Sequence, residues 1–182
     1  LFDPERKTAI HQWHVDNGAE FEDVGQWKRP HYFPQKNENI HDAVKRECKA
    51  VRNSLGILDA STLGKIDLQG PDVAKFLNLI YTNAWSKLEV GSCRYGLMCN
   101  EHGMVFDDGV TTRISENRYH MTTTTGGAAR VMSWLEEFLQ TEWLDMEVFC
   151  TSVTEQWTVL SISGPNSREF LSSLTDIDIS KE

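Results

Sequence analysis

The sequence predicts an α+β fold, in which helices pack against a largely antiparallel sheet. Several short segments alternate apolar and polar residues with the period of a strand, and a few longer segments have the period of a helix. These strands and helices do not alternate strictly, as they would in a parallel βαβ protein. In addition, a strand–Gly-Pro–helix unit occurs twice, because residues 66–80 align without a gap with residues 160–174. Together these features predict two related halves that place helices on a shared sheet.

The composition is that of a globular protein of one or two domains, with 182 residues of which 40% are hydrophobic. A net charge of −9 argues against a general nucleic-acid binder, which needs a basic surface. No apolar run approaches the ~20 residues that span a bilayer, so no membrane segment is predicted. The four cysteines form no CxxC pair and are expected to be buried free thiols in the cytoplasm. Because the chain begins without Met or a signal peptide, we expect a piece of a longer polypeptide.

The first 37 residues are rich in His, Trp, Pro and charge. We expect residues 1–37 to be an irregular N-terminal segment with a short helix near 6–17 and no regular structure over 25–34. His11 and His14 have a spacing that could place both on one helix face. A structural zinc site takes four protein ligands, however, and no Cys or His cluster completes this one, so no metal site is predicted.

The next elements follow from periodicity and stop signals. A helix is predicted over residues 39–54, with Gly56 as its stop, and short strands are predicted at 57–60 and 64–68. Each Gly-Pro unit then leads into a helix, with Pro71 and Pro165 at the first helical position, where a missing N–H does no harm. The apolar faces of these two helices are Val73, Phe76, Leu77 and Ile80 in the first, and Phe170, Leu171 and Leu174 in the second.

A hairpin between the two units is the most informative segment. Apolar and aromatic residues up to Met98 predict a strand, residues 100–103 (NEHG) supply turn chemistry, and a second apolar run returns through residue 110. The returning strand carries Asp107 and Asp108, whose side chains should point to opposite faces of the sheet. A carboxylate that faces an interior pocket is costly unless it is paired or has a chemical task. This hairpin is therefore where we expect the functional site.

The remaining elements are a strand at 118–124, a helix at 128–139 and strands at 147–152 and 157–163. Residues 122–127 (TTTTGG) allow two interpretations. They could expose hydroxyl and backbone donors at a helix start, or they could form a Thr-rich edge strand with a glycine turn, which the sequence favours. Tyr95 also allows two interpretations, a site residue or a core residue, since many strand tyrosines are core residues with a hydrated tip. The chain contains no Walker A, GxGxxG or GxSxG motif.

Several short motifs occur in a fixed order along the chain: residues 59–65 (DASTLGK), 70–72 (GPD), 82–85 (TNAW), 93–96 (CRYG), 107–110 (DDGV), 122–127, 140–143 (QTEW), and Gln156 with 164–165 (GP). With these motifs the chain resembles the folate-binding aminomethyltransferases, a family that includes the glycine-cleavage T-protein, dimethylglycine and sarcosine oxidases and a dimethylsulfoniopropionate demethylase. The resemblance covers nearly the whole chain, and within the family it is strongest to the alpha subunits of heterotetrameric sarcosine oxidases. It departs from the T-protein pattern at Thr62, where T-proteins have His, and in the Thr run, where they have an Asn-containing segment.

The resemblance implies site residues and domain limits. It makes Asp108 the catalytic carboxylate near the folate amine nitrogens. It implies that the tetrahydrofolate site is lined by Leu63, Tyr95, Val110 and Thr124, where Thr124 replaces the family's usual Asn. It also implies that residues 38–182 are the N-terminal half of an aminomethyltransferase-like folate-binding domain.

By the same resemblance, sarcosine is oxidised on a flavin elsewhere in a cytoplasmic complex, and the one-carbon unit is trapped here as 5,10-methylenetetrahydrofolate. The partners are then the beta, gamma and delta subunits, with sarcosine and folate as small-molecule ligands. FAD, FMN, NAD and zinc are implied for the whole enzyme and none for this chain alone. The alternatives are a T-protein or another folate-dependent demethylase, or a non-catalytic scaffold that docks other subunits.

Overall fold

The computed structural model describes residues 5–180 and confirms the predicted α+β class with antiparallel sheets. The chain divides into two compact units, one formed by Leu63–Trp157 and the other by the flanking parts, Leu1–Thr62 and Thr158–Glu182. Residues 1–4 of the expected N-terminal segment and the last two residues lie outside the described part. The predicted division at residue 37 stays a prediction.

In its described residues, 5–62 and 158–180, the flanking unit contains three helices and two small antiparallel sheets. Helix α1 is His11–Asp16, strands β1 (Glu20–Val24) and β2 (Trp27–Tyr32) form a hairpin, and helix α2 is Ile40–Asn53. Strand β3 (Gly56–Asp59) pairs with strand β9 (Leu160–Ser163), and helix α5 is Ser167–Ser172. The side chain of Asn39 caps α2 by accepting a hydrogen bond from the N–H of Asp42 at 3.1 Å. The predicted helices near 6–17 and over 39–54 are therefore present.

The expectation that residues 25–34 lack regular structure is wrong for Trp27–Tyr32, which form β2. Pro30 suggested a loop, since proline cannot donate to a strand ladder. In this sheet of two strands, Pro30 pairs with Phe21 next to a register irregularity, where its missing N–H is tolerated. Trp27 and Pro30 are buried, which gives the strand an inner face.

The central unit, Leu63–Trp157, is a five-stranded antiparallel sheet with helices on one face. Its elements in chain order are β4 (Gly64–Gln69), α3 (Val73–Ile80), β5 (Cys93–Cys99), β6 (Val105–Ser115), β7 (Arg118–Thr123), α4 (Ala128–Thr141) and β8 (Phe149–Ser152). The strand order is β5-β6-β7-β4-β8. The predicted apolar face of α3 is buried over Val73, Phe76, Leu77 and Ile80, and α4 buries Val131 and Leu135. These side chains form one core with strand residues such as Ile66 and Met121.

The expectation that the two Gly-Pro units lie on a shared sheet is wrong, because β4 is in the five-stranded sheet and β9 pairs with β3 in a separate two-stranded sheet. The two units do share an unusual backbone at their glycines. Gly70 has φ +135° and Gly164 has φ +123°, a region that side chains rarely adopt. The prediction that Pro71 and Pro165 start the helices is wrong, because α3 and α5 begin two residues after each proline. The glycine conformation is followed by a turn before the helix forms. Helix α5 also ends at Ser172, so Leu174 lies beyond it and is exposed.

Two further expectations concern cysteines and membrane segments. The four cysteines are free thiols, as expected, but none is fully buried, because Cys99 and Cys150 are half-buried and Cys48 and Cys93 are exposed. Both lie on elements with one face toward solvent, and a small apolar residue gives no signal about which face it occupies. Within residues 5–180, no helix has the length and apolar character needed to cross a bilayer.

Candidate functional site

The predicted site residues lie mainly on the face of the central sheet that is opposite to the helices. Tyr95 on β5 pairs directly with Val110 on β6, and Leu97 pairs with Asp108. Because side chains alternate along a strand, these four share one face. Tyr95 is 56% exposed, and Leu97 and Val110 are also open to solvent. This face therefore presents an aromatic ring, two apolar side chains and a carboxylate together.

The side chains of Tyr95 and Asp108 form a hydrogen-bonded pair. The Tyr95 hydroxyl donates to Asp108 Oδ2 at 2.7 Å, a diagonal contact across β5 and β6. The hydrogen bond to Asp108 raises the pKa of Tyr95 above its ordinary value, which keeps the phenol protonated as the donor. The main chain of β5 is held by the Asn83 amide, which donates to the Tyr95 carbonyl at 3.3 Å. The pair thus fixes one oxygen of Asp108 and leaves a partly exposed carboxylate facing outward.

Asp107 takes the opposite orientation, as strand alternation predicts. It is only 4% exposed, and its carboxylate accepts three hydrogen bonds. Oδ1 accepts from the N–H groups of Asp108 (2.7 Å) and Thr124 (3.0 Å), and Oδ2 accepts from the Thr124 hydroxyl at 2.9 Å. A buried carboxylate with this many donors is satisfied without a ligand. The inward-facing acid of the pair is therefore held within the protein, and Asp108, which the resemblance implies as the catalytic carboxylate, is the acid that faces outward.

The hydroxyl groups of Thr122, Thr123 and Thr124 form hydrogen bonds within the protein itself. The Thr122 hydroxyl accepts from the Val110 N–H at 2.9 Å and donates to the Val110 carbonyl at 3.1 Å. Thr123 is buried and donates to the Thr124 carbonyl, and the Thr124 hydroxyl accepts from the N–H of Gly127 at 3.1 Å. The arrangement is a Thr-rich strand end followed by a turn, as the favoured interpretation had it. The edge position in that interpretation is wrong, because β7 is the middle strand of the five-stranded sheet.

Leu63 and Thr124 lie together at one end of the same sheet. Gly64, the first residue of β4, pairs with Thr123, the last residue of β7. Leu63 therefore directly precedes β4 and Thr124 directly follows β7, at the same end of the sheet. The Leu63 carbonyl accepts from Lys65 Nζ at 2.7 Å. Lys65 is 1% exposed, which is rare for lysine, and sequence reasoning missed it because a charged residue in a strand is expected to face solvent. All five predicted site residues therefore belong to the central unit.

In the flanking unit, His14 of the two N-terminal histidines forms a buried pair with Asp59. His14 Nε2 lies 3.0 Å from Asp59 Oδ2, and both side chains are buried. Burial alone would raise the pKa of Asp59, but hydrogen bonds from Ser61 and His14 lower it below its ordinary value. A cavity of about 350 Å³ in this unit is lined by the pair and by apolar side chains, and none of the five predicted site residues lines it. Within residues 5–180, no group of three or more His, Cys, Asp or Glu side chains could hold a metal ion.

Comparisons with curated proteins agree with the resemblance found in the sequence. The chain is 58% identical over its whole length to the sarcosine oxidase subunit alpha of Corynebacterium sp. (strain U-96), of which it covers 19%. It is 46% identical over 98% of its length to the same subunit of Rhizobium meliloti (strain 1021), of which it covers 18%. The chain therefore spans about a fifth of the length of these relatives. It is also 32% identical to an aminomethyltransferase of Listeria monocytogenes serotype 4a (strain HCC23), covering 44% of that protein.

The fold and the family model point the same way. The crystal structure of the glycine cleavage system aminomethyltransferase T from Bartonella henselae matches with a TM-score of 0.80 at 23% identity. That match covers 92% of this chain and 43% of the other, and at this identity it bears on the fold alone. The model of the GCVT N-terminal domain matches residues 10–182. The chain belongs to the family of GCVT N-terminal domains.

Proposed function

We propose that the outward face of the central sheet binds tetrahydrofolate as part of a sarcosine oxidase alpha subunit. There it would trap the one-carbon unit of sarcosine demethylation as 5,10-methylenetetrahydrofolate. The observation that carries the proposal is the Tyr95–Asp108 pair, because it places an oriented carboxylate on an exposed face beside apolar and aromatic surface. The 58% identity to a sarcosine oxidase alpha subunit supports this branch of the family over a T-protein.

The residues on this face suit a folate in chemical terms. Tyr95 offers an exposed aromatic ring, and Val110 and Leu63 offer apolar surface, on which a flat heterocycle can pack. Asp108 supplies the hydrogen-bond acceptor that an amine N–H needs. Thr124 has its hydroxyl and its N–H bound to Asp107, so it would help to shape the wall of the site and would not act as a free donor.

Asp108 is the residue that we assign to the chemistry. A bound folate would supply the amine nitrogens that accept the one-carbon unit. The Asp108 carboxylate would stabilise the positive charge that develops on such a nitrogen and would accept the proton that it loses. Tyr95 would hold Oδ2 in place, which leaves Oδ1 as the oxygen that faces the amine. Pre-orientation of this kind lowers the barrier because the carboxylate does not have to reorganise during the reaction.

The rest of the reaction is assigned to other parts of the complex. We propose that sarcosine is oxidised on a flavin outside this chain, that the beta, gamma and delta subunits are its partners, and that the complex is cytoplasmic. FAD, FMN, NAD and zinc would belong to those other parts. The alternatives are a T-protein, another demethylase or a docking scaffold. Each would have the same fold, but these partners and cofactors would not follow for it.

The proposal is tested on the intact complex by two measurements. Calorimetric titration with tetrahydrofolate should give saturable binding, which a pure scaffold would not show. Incubation with sarcosine and tetrahydrofolate should then give 5,10-methylenetetrahydrofolate, whereas dimethylsulfoniopropionate or an aminomethylated lipoyl protein as the donor should not. Product formed only from one of those other donors would assign the chain to another branch of the family.

A further inference from the structure

A second polar cleft lies on the same face of the central sheet, in a part that the proposed function does not use. It has a volume of about 220 Å³. Strands β4 and β7 form its floor, and a short segment after β8 forms its wall. Its lining residues are Asp67, Arg118, His120, Val153, Gln156 and Trp157.

Arg118 is held in one orientation at the edge of this cleft. Its Nε donates to Asp67 Oδ1 at 3.0 Å and to Oδ2 at 3.2 Å. Asp67 is buried and also accepts from Gln69 Nε2 at 2.7 Å, so its oxygens are satisfied. The two terminal nitrogens of the Arg118 guanidinium have no hydrogen-bond partner in the described part of the chain. Asp67 therefore holds the guanidinium at its Nε and leaves the Nη groups able to donate hydrogen bonds to a ligand.

The other walls of the cleft add a flat apolar surface and further hydrogen-bonding groups. The rings of His120 and Trp157 meet edge to face, with centroids 5.7 Å apart. Trp157 is 53% exposed although it is a large apolar side chain, and Gln156 beside it is exposed. Burial lowers the pKa of His120 below its ordinary value, so its ring is neutral at pH 7 and carries one N–H donor. An exposed Trp beside an oriented Arg is typical of a binding surface.

The charge and the size of the cleft select the class of ligand. Asp67 offsets the charge of Arg118, and Lys65 is a further cation near His120, so the charges suit a monoanion better than a dianion such as phosphate. A guanidinium fork matches a single carboxylate, which accepts two parallel N–H bonds. The volume is below the ~300–1,000 Å³ of sites for drug-sized molecules and suits a group the size of an amino acid. We infer that this cleft binds the carboxylate of an amino-acid-sized group, with Arg118 as its anchor and Trp157 against its apolar part.

Such a carboxylate could come from two sources. One is the glutamyl tail of a folate on the proposed site, and this source rests on the proposed function. His120 is on β7, and Thr124 directly follows that strand, four residues later in the chain. At the rise of a strand this separation is about 13 Å. A p-aminobenzoyl-glutamate group is long enough to span it. The other source is a free amino acid of the sarcosine and glycine class. Both present the same carboxylate to Arg118.

The test uses the full chain and two probes that do not require folate binding. N-acetylglutamate represents the glutamyl tail, and glycine represents the free amino acid. Binding is followed by the NMR shift of the Trp157 indole N–H, assigned with Trp157→Phe. Arg118→Lys keeps a positive charge beside Asp67 but removes the fork, and Arg94→Lys is the control, because Arg94 uses Nη1 on the Ala84 carbonyl. Gln156→Ala is a second variant, at an exposed position of the cleft.

We expect saturable shifts with at least one probe, and a Kd at least about tenfold weaker in Arg118→Lys, since a charge-assisted pair of hydrogen bonds is lost. Gln156→Ala should weaken binding less, and Arg94→Lys should leave it unchanged. Binding of N-acetylglutamate alone identifies the tail as the source, and binding of glycine alone identifies a free amino acid. The absence of a saturable shift, or equal binding in Arg118→Lys and the parent chain, overturns the inference. If tetrahydrofolate does not bind but a probe does, the proposed function fails while this cleft stands.

Discussion

Thr124 gives both of its donors to the carboxylate of Asp107: the N–H lies 3.0 Å from Oδ1 and the hydroxyl 2.9 Å from Oδ2. These hydrogen bonds join strand β6, which carries Asp107, to the turn that precedes α4. The turn is closed around the same carboxylate, because a Cβ on Gly127 would lie 1.6 Å from Oδ2. The two neighbouring acids of β6 thus have separate tasks, since Asp107 holds the scaffold and Asp108 faces outward.

Asp107→Asn should therefore destabilise the fold. An amide keeps the shape but loses the charge and turns one acceptor into a donor that faces the Thr124 hydroxyl. We expect the free energy of unfolding to fall by about 1–3 kcal/mol, as for other buried acceptors left unsatisfied. Urea denaturation measures this loss, and Gly127→Ala should cause a similar one. One-carbon trapping per folded molecule should stay close to that of the parent, and a loss as large as in Asp108→Asn would mean that both acids serve the site.

Asp108→Asn should act on chemistry and not on stability. The carboxylate is partly exposed, and an amide can still accept the Tyr95 hydrogen bond through its oxygen. In the intact complex, the rate of 5,10-methylenetetrahydrofolate formation should fall by about 10²–10⁴-fold, because the group that accepts the proton is lost. Sarcosine-dependent peroxide formation should be unchanged, and free formaldehyde should rise. An unchanged yield would show that Asp108 is not the trapping carboxylate.

Tyr95→Phe should separate the orientation of Asp108 from its charge. Loss of one charge-assisted hydrogen bond should reduce trapping about tenfold, with little change in folate affinity because the ring remains. The pKa of Tyr95 is raised from 10.0, so the bond contributes fully below pH 10.0 and is lost only as the pH rises through the higher folded value. The ratio of parent to variant rates should thus be constant from neutral pH up to pH 10.0. A ratio that changes near neutral pH would assign the effect to another group.

Much of the fold follows from local pattern. The four apolar residues of α3 recur at helical spacing and are all buried, and the turn at residues 100–103 joins the hairpin as predicted, with Gly103 at φ +75°. The opposite orientations of Asp107 and Asp108 follow from the alternation of a strand alone.

The features that the sequence did not reveal depend on contacts between distant segments. Lys65 is buried because its Nζ meets the Leu63 carbonyl and its strand lies between β7 and β8, and a local pattern carries no sign of that environment. His14 and Asp59 are 45 residues apart, so their pairing leaves no motif. The cleft around Arg118 likewise combines residues from β4, β7 and the segment after β8.

Cys150 should resist alkylation, whereas Cys48 and Cys93 should react. Burial, with a smaller contribution from the charge of Glu136, raises the pKa of the Cys150 thiol to about 12. At pH 8 only about one molecule in ten thousand then carries the reactive thiolate. Mass spectrometry after a time course with iodoacetamide should show Cys48 and Cys93 labelled first, as both are exposed. Labelling of Cys150 at the rate of Cys48 in the folded chain would contradict its burial.

The repeated Gly-Pro units give a prediction with an internal control. A Cβ on Gly70 would lie 2.0 Å from the Glu147 carbonyl oxygen, and a Cβ on Gly164 would lie 2.3 Å from the Ser54 carbonyl oxygen. Gly103 also has a positive φ but has nothing within 4 Å of such a Cβ. Gly103→Ala should therefore cost only the backbone strain, about 1 kcal/mol. Gly70→Ala and Gly164→Ala should cost clearly more, because main-chain oxygens cannot move aside as a flexible side chain would. Equal losses in all three variants, measured by thermal unfolding, would mean that the backbone relaxes at both units and that close packing does not explain why glycine stands there.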